Sequence, residues 1–312
     1  MLLCMALGAC TTVPSFEQPQ DISQQALLDV PFFPQQDYYC GPAALAEVAN
    51  FRNVETDQDA VASKTFIPGR KGSLAIEMSA ATRQLGLLPY PLEKEFGALL
   101  SELDSGNPVL VLQNLGFGWY PKWHYALAVG YRLGDNTLIL HSGEQRNYEI
   151  PFATFIRTWQ RADQWARVVV DSTTVPTTAE PLRYLRSALA FEQTGRPELA
   201  YVFYQQALTQ WPKEPAVLTA AANAALNTGD SRRARNLFES LLRNNPKEPN
   251  IWNNYAYALQ ADGCDMAASM AISVALQLAP DEEAFKQSAK DFLSGRGFDP
   301  EHCPQPDGPL PF

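Results

Sequence analysis

The sequence predicts an α+β domain followed by an all-α superhelix, and three observations carry that reading. Residues 28–172 mix helical and extended apolar patterns, a Thr- and Pro-rich stretch interrupts them, and from residue 181 alanine-rich helical patterning repeats at a fixed interval. At 312 residues with 46% apolar side chains, the chain is long enough for two cores. With 24 basic against 34 acidic side chains and a formal charge of -10, it has no basic run to neutralise phosphates, which excludes nucleic acid as a partner.

The chain opens on MLLCMALGAC, an apolar stub too short to span a bilayer. Leu7, Gly8, Ala9 and Cys10 resemble a bacterial lipobox. The resemblance implies a signal peptide over residues 1–10, lipidation of Cys10 and a membrane anchor. Thr11, in place of an acidic residue, resembles the outer-membrane sorting class, with the protein facing the periplasm. The stub lacks the positive flank of a complete signal peptide, so a start upstream of Met1 stays open. Polar residues 11–27 read as a tether.

Within 28–172, GPAALAEVANF and SLAIEMSAATRQLG read as helices, the second ending at Gly86. NPVLVLQN, HYALAVGYR, NTLILHS and WARVVVDS read as strands rich in branched residues, and the turn residues Gly134, Asp135 and Asn136 fold two of them into a hairpin. The stretch FIPGRKGSL at 66–74 reads as a solvated loop or as one flank of a cleft.

Residues 173–180 read as a linker. Beyond it, Gly195, Gly229 and Gly263 recur with a spacing of 34, as do Ala200, Ala234 and Ala268, and Pro212, Pro246 and Pro280. Small alanines let antiparallel helices approach closely, the glycine turns between them, and the proline stops the second helix. The period and these columns, with WNNYAYAL at 252–259 the best single unit, resemble tetratricopeptide repeats. The resemblance implies three repeats plus a capping helix over 181–295, a tail over 296–312, and a concave surface for a peptide or protein partner.

Thiols persist in an oxidising compartment only when buried, coupled or functional. Setting aside Cys4 and Cys10 in the leader leaves Cys40, Cys264 and Cys303, an odd number, so one is free. A Cys264–Cys303 disulfide is the favoured pairing, and a bridge to Cys40 competes with it. No CxxC pair or His cluster points to a metal, and no cofactor is expected.

Cys40 stands at a predicted helix start, where unpaired backbone N–H groups and the helix dipole stabilise a thiolate. Pro42 suits the first turn, and Gly41 permits a tight entry. Of the three histidines, His124 heads an apolar strand behind the loop LGFGWYPKW and is the leading partner for Cys40. A thiol and an imidazole brought together are expected to form a thiolate–imidazolium pair that attacks a carbonyl carbon and then protonates the leaving group. Trp119, Tyr120 and Trp123 read as lining a groove near His124 or as packing on the sheet edge.

VPFFPQQDYYCGPAAL, followed well downstream by WHYALAVGY, resembles the papain-like cysteine peptidases of the bacteriocin-processing, double-glycine leader peptidase type, in particular exported relatives with C-terminal tetratricopeptide repeats. The resemblance implies a papain-like fold and cofactor-free peptide-bond hydrolysis, with Cys40 as nucleophile, His124 as general base and acid, and Gln35 as oxyanion donor, with Gln36 a possible substitute. The family's orienting Asp or Asn is absent here. Ser142 or His141 occupies its position in LILHSG, with Glu144 or a backbone carbonyl as alternatives, and Asp135 and Asn136 fall at the wrong end of the hairpin. That departure keeps a second reading open, a catalytically degenerate peptide-binding adaptor; a third, an acyl or peptidyl transferase, stays open because the same thioester can pass to an amine instead of water.

Overall fold

The computed structural model describes residues 16–35, 38–66, 72–292 and 300–304. Two compact units form: one comprises the chain up to Asp171 with Pro176–Ala179, the other Ser172–Val175 with the chain from Glu180 onward.

In the first unit the branched apolar runs become β3 (Val109–Asn114), β4 (Trp123–Arg132), β5 (Thr137–Ser142) and β7 (Ala166–Val170), each buried over most of its length. With β2 (Leu88–Pro91) and β6 (Gln145–Pro151) they form an antiparallel sheet in the order β2-β7-β3-β4-β5-β6. A short β1 (Gln25–Leu27) pairs with the end of β4, beyond the stretch that β3 covers. The expected tether over 11–27 is therefore corrected in its described part. Besides forming β1, this segment packs Phe16 edge-on against Phe96 and Phe152, because it brings apolar rings to an apolar flank of the domain.

Helix α1 (Cys40–Phe51) runs along the sheet face with residues Gly41–Ala49 all buried, among them Leu45 and Val48 in the same core as Leu110, Leu127 and Val169. Around it come α2 (Gln58–Thr65), α3 (Ala75–Gln84), α4 (Phe96–Asp104) and α5 (Phe152–Gln160). Of these, α2, α4 and α5, like β1, β2 and β6, go beyond the sequence-based expectation.

The second unit is a run of helical hairpins: α6 (Pro181–Gln193), α7 (Pro197–Gln210), α8 (Pro215–Asn227), α9 (Ser231–Asn244), α10 (Pro249–Ala261), α11 (Asp265–Leu278) and α12 (Glu283–Phe292). Gly195, Gly229 and Gly263 sit at the three hairpin corners with φ of 76°, 86° and 79°, a conformation costly for any residue with a Cβ. Ala200, Ala234 and Ala268 are fully buried, which is the close helix approach that their spacing foretold. Helix α12 buries Phe285 and Phe292 on its inner face. Cys264 and Cys303 form a disulfide that holds residues 300–304 against this unit. No helix among the described residues is long and apolar enough to cross a membrane. Cys10, the expected lipidation site, lies outside the described residues, as does Gln36.

Candidate active site

Cys40 is the first residue of α1, and Ala43 N–H already donates to Tyr39 O at 2.9 Å, closing the first turn around it. Gly41 is required for close approach: a Cβ there would lie 2.9 Å from Met78 Sδ and 3.2 Å from Tyr125 Cδ2. The helix start therefore abuts β4 one residue past His124. Cys40 is the free cysteine among the described residues and is partly buried.

Cys40, His124 and Gln35 line one cavity of about 950 Å³. Leu74, Leu112, Trp123, Tyr125 and Trp165 form its apolar wall, and Lys122, Glu144, Arg161 and Asp163 also line it. Gly72, Ser73 and Leu74 belong to this lining as well, so the described end of the 66–74 stretch flanks the cleft. Of the three aromatic candidates, only Trp123 reaches the cavity lining. Trp119 and Tyr120 are 84% and 71% exposed and cluster with Phe117 in the β3–β4 loop, so neither a groove-lining nor a sheet-packing role fits them.

The register of the sheet decides which residue meets His124. The β4–β5 pairs run from Arg132–Thr137 to Gly130–Ile139, then slip by one residue at Val129, and resume as Ala128–Leu140 and Leu127–His141. A one-residue slip exchanges the faces of every later side chain. Because of the bulge, Ser142 shares a face with His124, and His141 faces the other way. Ser142 Oγ accordingly lies 2.8 Å from His124 Nε2, while His141 is fully buried with Nδ1 3.3 Å from Glu47 Oε2. Gly130, isolated inside a strand pattern, was the signal of that bulge.

Gln35 is held by its backbone, whose N–H donates to Gly143 O at 3.1 Å, one residue beyond Ser142. Among the described residues, no protein group accepts from its side-chain Nε2, which borders the same cavity.

The electrostatics differ from the expected ion pair. Burial pushes the Cys40 thiol above its ordinary 9.0, outweighing hydrogen bonds from the backbone at Tyr125, Gly41 and Cys40 itself. Burial, reinforced by the Lys122 charge, pulls the His124 imidazole down to about 4. Burial thus favours a neutral thiol and a neutral imidazole, since desolvation penalises both charged forms more than the helix terminus stabilises the thiolate.

The sequence reading passed over Glu47. Its carboxylate is fully buried and is pushed up by burial, against hydrogen bonds from His141 and the backbone of Phe33. Its signal was one acidic residue inside the apolar run AALAEVANF. Among the described residues, the one group of potential metal ligands that clusters is Cys264, His302 and Cys303, and two of these form the disulfide.

Residues 27–166 match the Peptidase_C39 like family, and residues 192–262 match the tetratricopeptide repeat. The protein is thus a two-part chain in which a C39-like peptidase-family domain precedes tetratricopeptide repeats, and repeats of this kind suggest peptide or protein partners. A Bacillus anthracis protein described as a putative C39-like peptidase is 14% identical, the match covering 48% of this chain and 98% of that one at a TM-score of 0.40. The first tetratricopeptide domain of Spaghetti, solved with an HSP90 peptide, is 15% identical over 36% of this chain and 90% of that one, at a TM-score of 0.34. A MamA double mutant is 16% identical over 36% of this chain, and the match spans 64% of its length, at a TM-score of 0.34. None of the curated proteins matches the chain.

Proposed function

We propose that the first unit is a cysteine peptidase that hydrolyses peptide bonds through a thioester. The observation that carries this reading is the shared cavity: it brings together the Cys40 thiol, the His124 imidazole, whose Nε2 lies 2.8 Å from Ser142 Oγ, and the Gln35 amide, which has no protein acceptor among the described residues. In this mechanism Ser142 Oγ accepts from His124 Nε2–H, which leaves Nδ1 as the basic nitrogen. As Cys40 Sγ attacks the carbonyl carbon, its proton passes to His124 Nδ1. The carbonyl π electrons move to oxygen, where Gln35 Nε2–H and the Cys40 backbone N–H donate to the oxyanion. Collapse of the tetrahedral adduct breaks the C–N bond, and the imidazolium gives its proton to the leaving amine. Water, deprotonated by His124, then attacks the thioester carbon, and the proton returns to the departing sulfur.

The repeats serve to hold a peptide or protein partner, and lipidation of Cys10 holds the protein at the outer membrane facing the periplasm. The neutral resting pair favours a second reading, a peptide-binding adaptor with a degenerate site. Incubating the chain without residues 1–10 with a peptide library, beside Cys40→Ala and His124→Ala, separates the two. Cleavage lost in both variants supports the peptidase. Peptide retention without cleavage supports the adaptor, and adducts formed with added amines indicate transfer in place of hydrolysis.

A further inference from the structure

Glu47 lies two helical turns beyond Cys40, on the buried side of α1. Its two carboxylate oxygens bind different segments. Oε1 accepts from Phe33 N–H at 3.0 Å, two residues before Gln35. Oε2 takes the His141 Nδ1 bond at 3.3 Å, one residue before Ser142. Phe32 packs its ring edge-on against His141, with centroids 5.1 Å apart, and Gln35 N–H closes the circuit on Gly143 O.

From this geometry we infer that Glu47, through His141, is a positioning residue that fixes the oxyanion donor Gln35 and the histidine partner Ser142 relative to the Cys40 helix. The inference rests on the peptidase reading for its catalytic meaning, but the link itself is structural. An acid sealed in an apolar core is held there against a desolvation cost, which burial of Glu47 expresses as a raised titration. Its placement makes one side chain the tie between three segments that each carry a member of the site. Glu47 touches neither substrate nor reacting atoms; it acts through the residues it binds.

The test uses Glu47→Leu and Glu47→Gln in the full chain, with His141→Leu as the second variant should Glu47→Leu fail to fold. Glu47→Gln keeps an acceptor for Phe33 N–H and a polar partner for His141, and is expected to stay within about threefold of the parent kcat. Glu47→Leu is expected to lower kcat at least about tenfold with KM nearly unchanged, as for an interaction expressed only in the transition state. In a Gln35→Ala background most of that loss should disappear, because the two act on one donor. The chain has three histidines, so imidazole NMR signals are assignable, and those of His124 are expected to move in the folded Glu47→Leu or His141→Leu protein. Unchanged kcat in a folded variant, full additivity with Gln35→Ala, or unmoved His124 signals would each overturn the inference. If the parent protein cleaves no peptide, the peptidase reading fails, and the NMR arm still decides whether Glu47 positions the site.

Discussion

Replacing Gln35 by Met separates stability from catalysis, and both sides can be worked from the structure. Gln35 Nε2 is buried without a partner, while the backbone N–H of the same residue is satisfied by Gly143 O. Met has similar length and removes only the orphaned amide. No described protein group accepts from that amide, so Met gives up no hydrogen bond within the protein; a change of this kind stays within about 0.5 kcal/mol, and for a unit of this size Tm is expected to stay within about 2 °C of the parent. Loss of an oxyanion donor costs about 10²–10³ in kcat. The assay is a pair of measurements on one preparation: a thermal melt followed by far-UV circular dichroism, and steady-state cleavage of the best peptide from the library. A variant that melts within about 2 °C of the parent and turns over at least a hundredfold more slowly supports the role. A variant that melts lower with activity intact would refute it, because Gln35 would then be an ordinary structural side chain.

Three further outcomes are expected. Because burial raises the Cys40 thiol above 9.0 and lowers His124 to about 4, the rate of Cys40 alkylation by iodoacetamide should keep rising through pH 9; a plateau from pH 5 to 8 would mean a preformed ion pair. Ser142→Ala removes one neutral hydrogen bond to His124, worth about 1 kcal/mol, and should lower kcat roughly fivefold. Ser142→Asp, which supplies a charge-assisted acceptor, should exceed the parent, and an Asp variant slower than Ala would count against the orienting role. The Cys264–Cys303 bridge spans a sequence separation of 39, so reduction should cost the second unit roughly 4 kcal/mol in urea unfolding, with the first unit's transition unmoved.

Much of this architecture was legible in the residue pattern. The repeats declared themselves because three columns share one period, and the period fixes helix, corner and helix together. Strands β3, β4, β5 and β7 were readable because branched apolar residues run unbroken through them. Strands β1 and β6 were not, since QAL is too short for a period and QRNYEIP is mostly exposed and polar, so only pairing with a neighbour makes either a strand. Within the site, Cys40 and His124 announced themselves by residue type and context. The choice between His141 and Ser142 turned on the Val129 bulge, a single-residue slip that alternation alone does not report. Its one trace was Gly130, where a Cβ would fall 2.4 Å from Ala26 O as β1 crosses. Glu47 was hidden for a related reason: its partners at Phe33 and His141 are remote in sequence, and nothing local says that an acid in an apolar helix is tied at both oxygens.

The Glu47 tie also bears on when the surroundings of the thiol are assembled. Cys40 and Gln35 emerge early from the ribosome, whereas His141, Ser142 and Gly143 emerge about a hundred residues later, after the chain has laid down β4 and turned back. Until that return strand docks, the carboxylate has no imidazole to meet, the Gln35 amide has no carbonyl to hang from, and His124 has no hydroxyl beside it. A half-made chain therefore carries the thiol without its surroundings, and the three segments are tied together only once β5 has paired with β4.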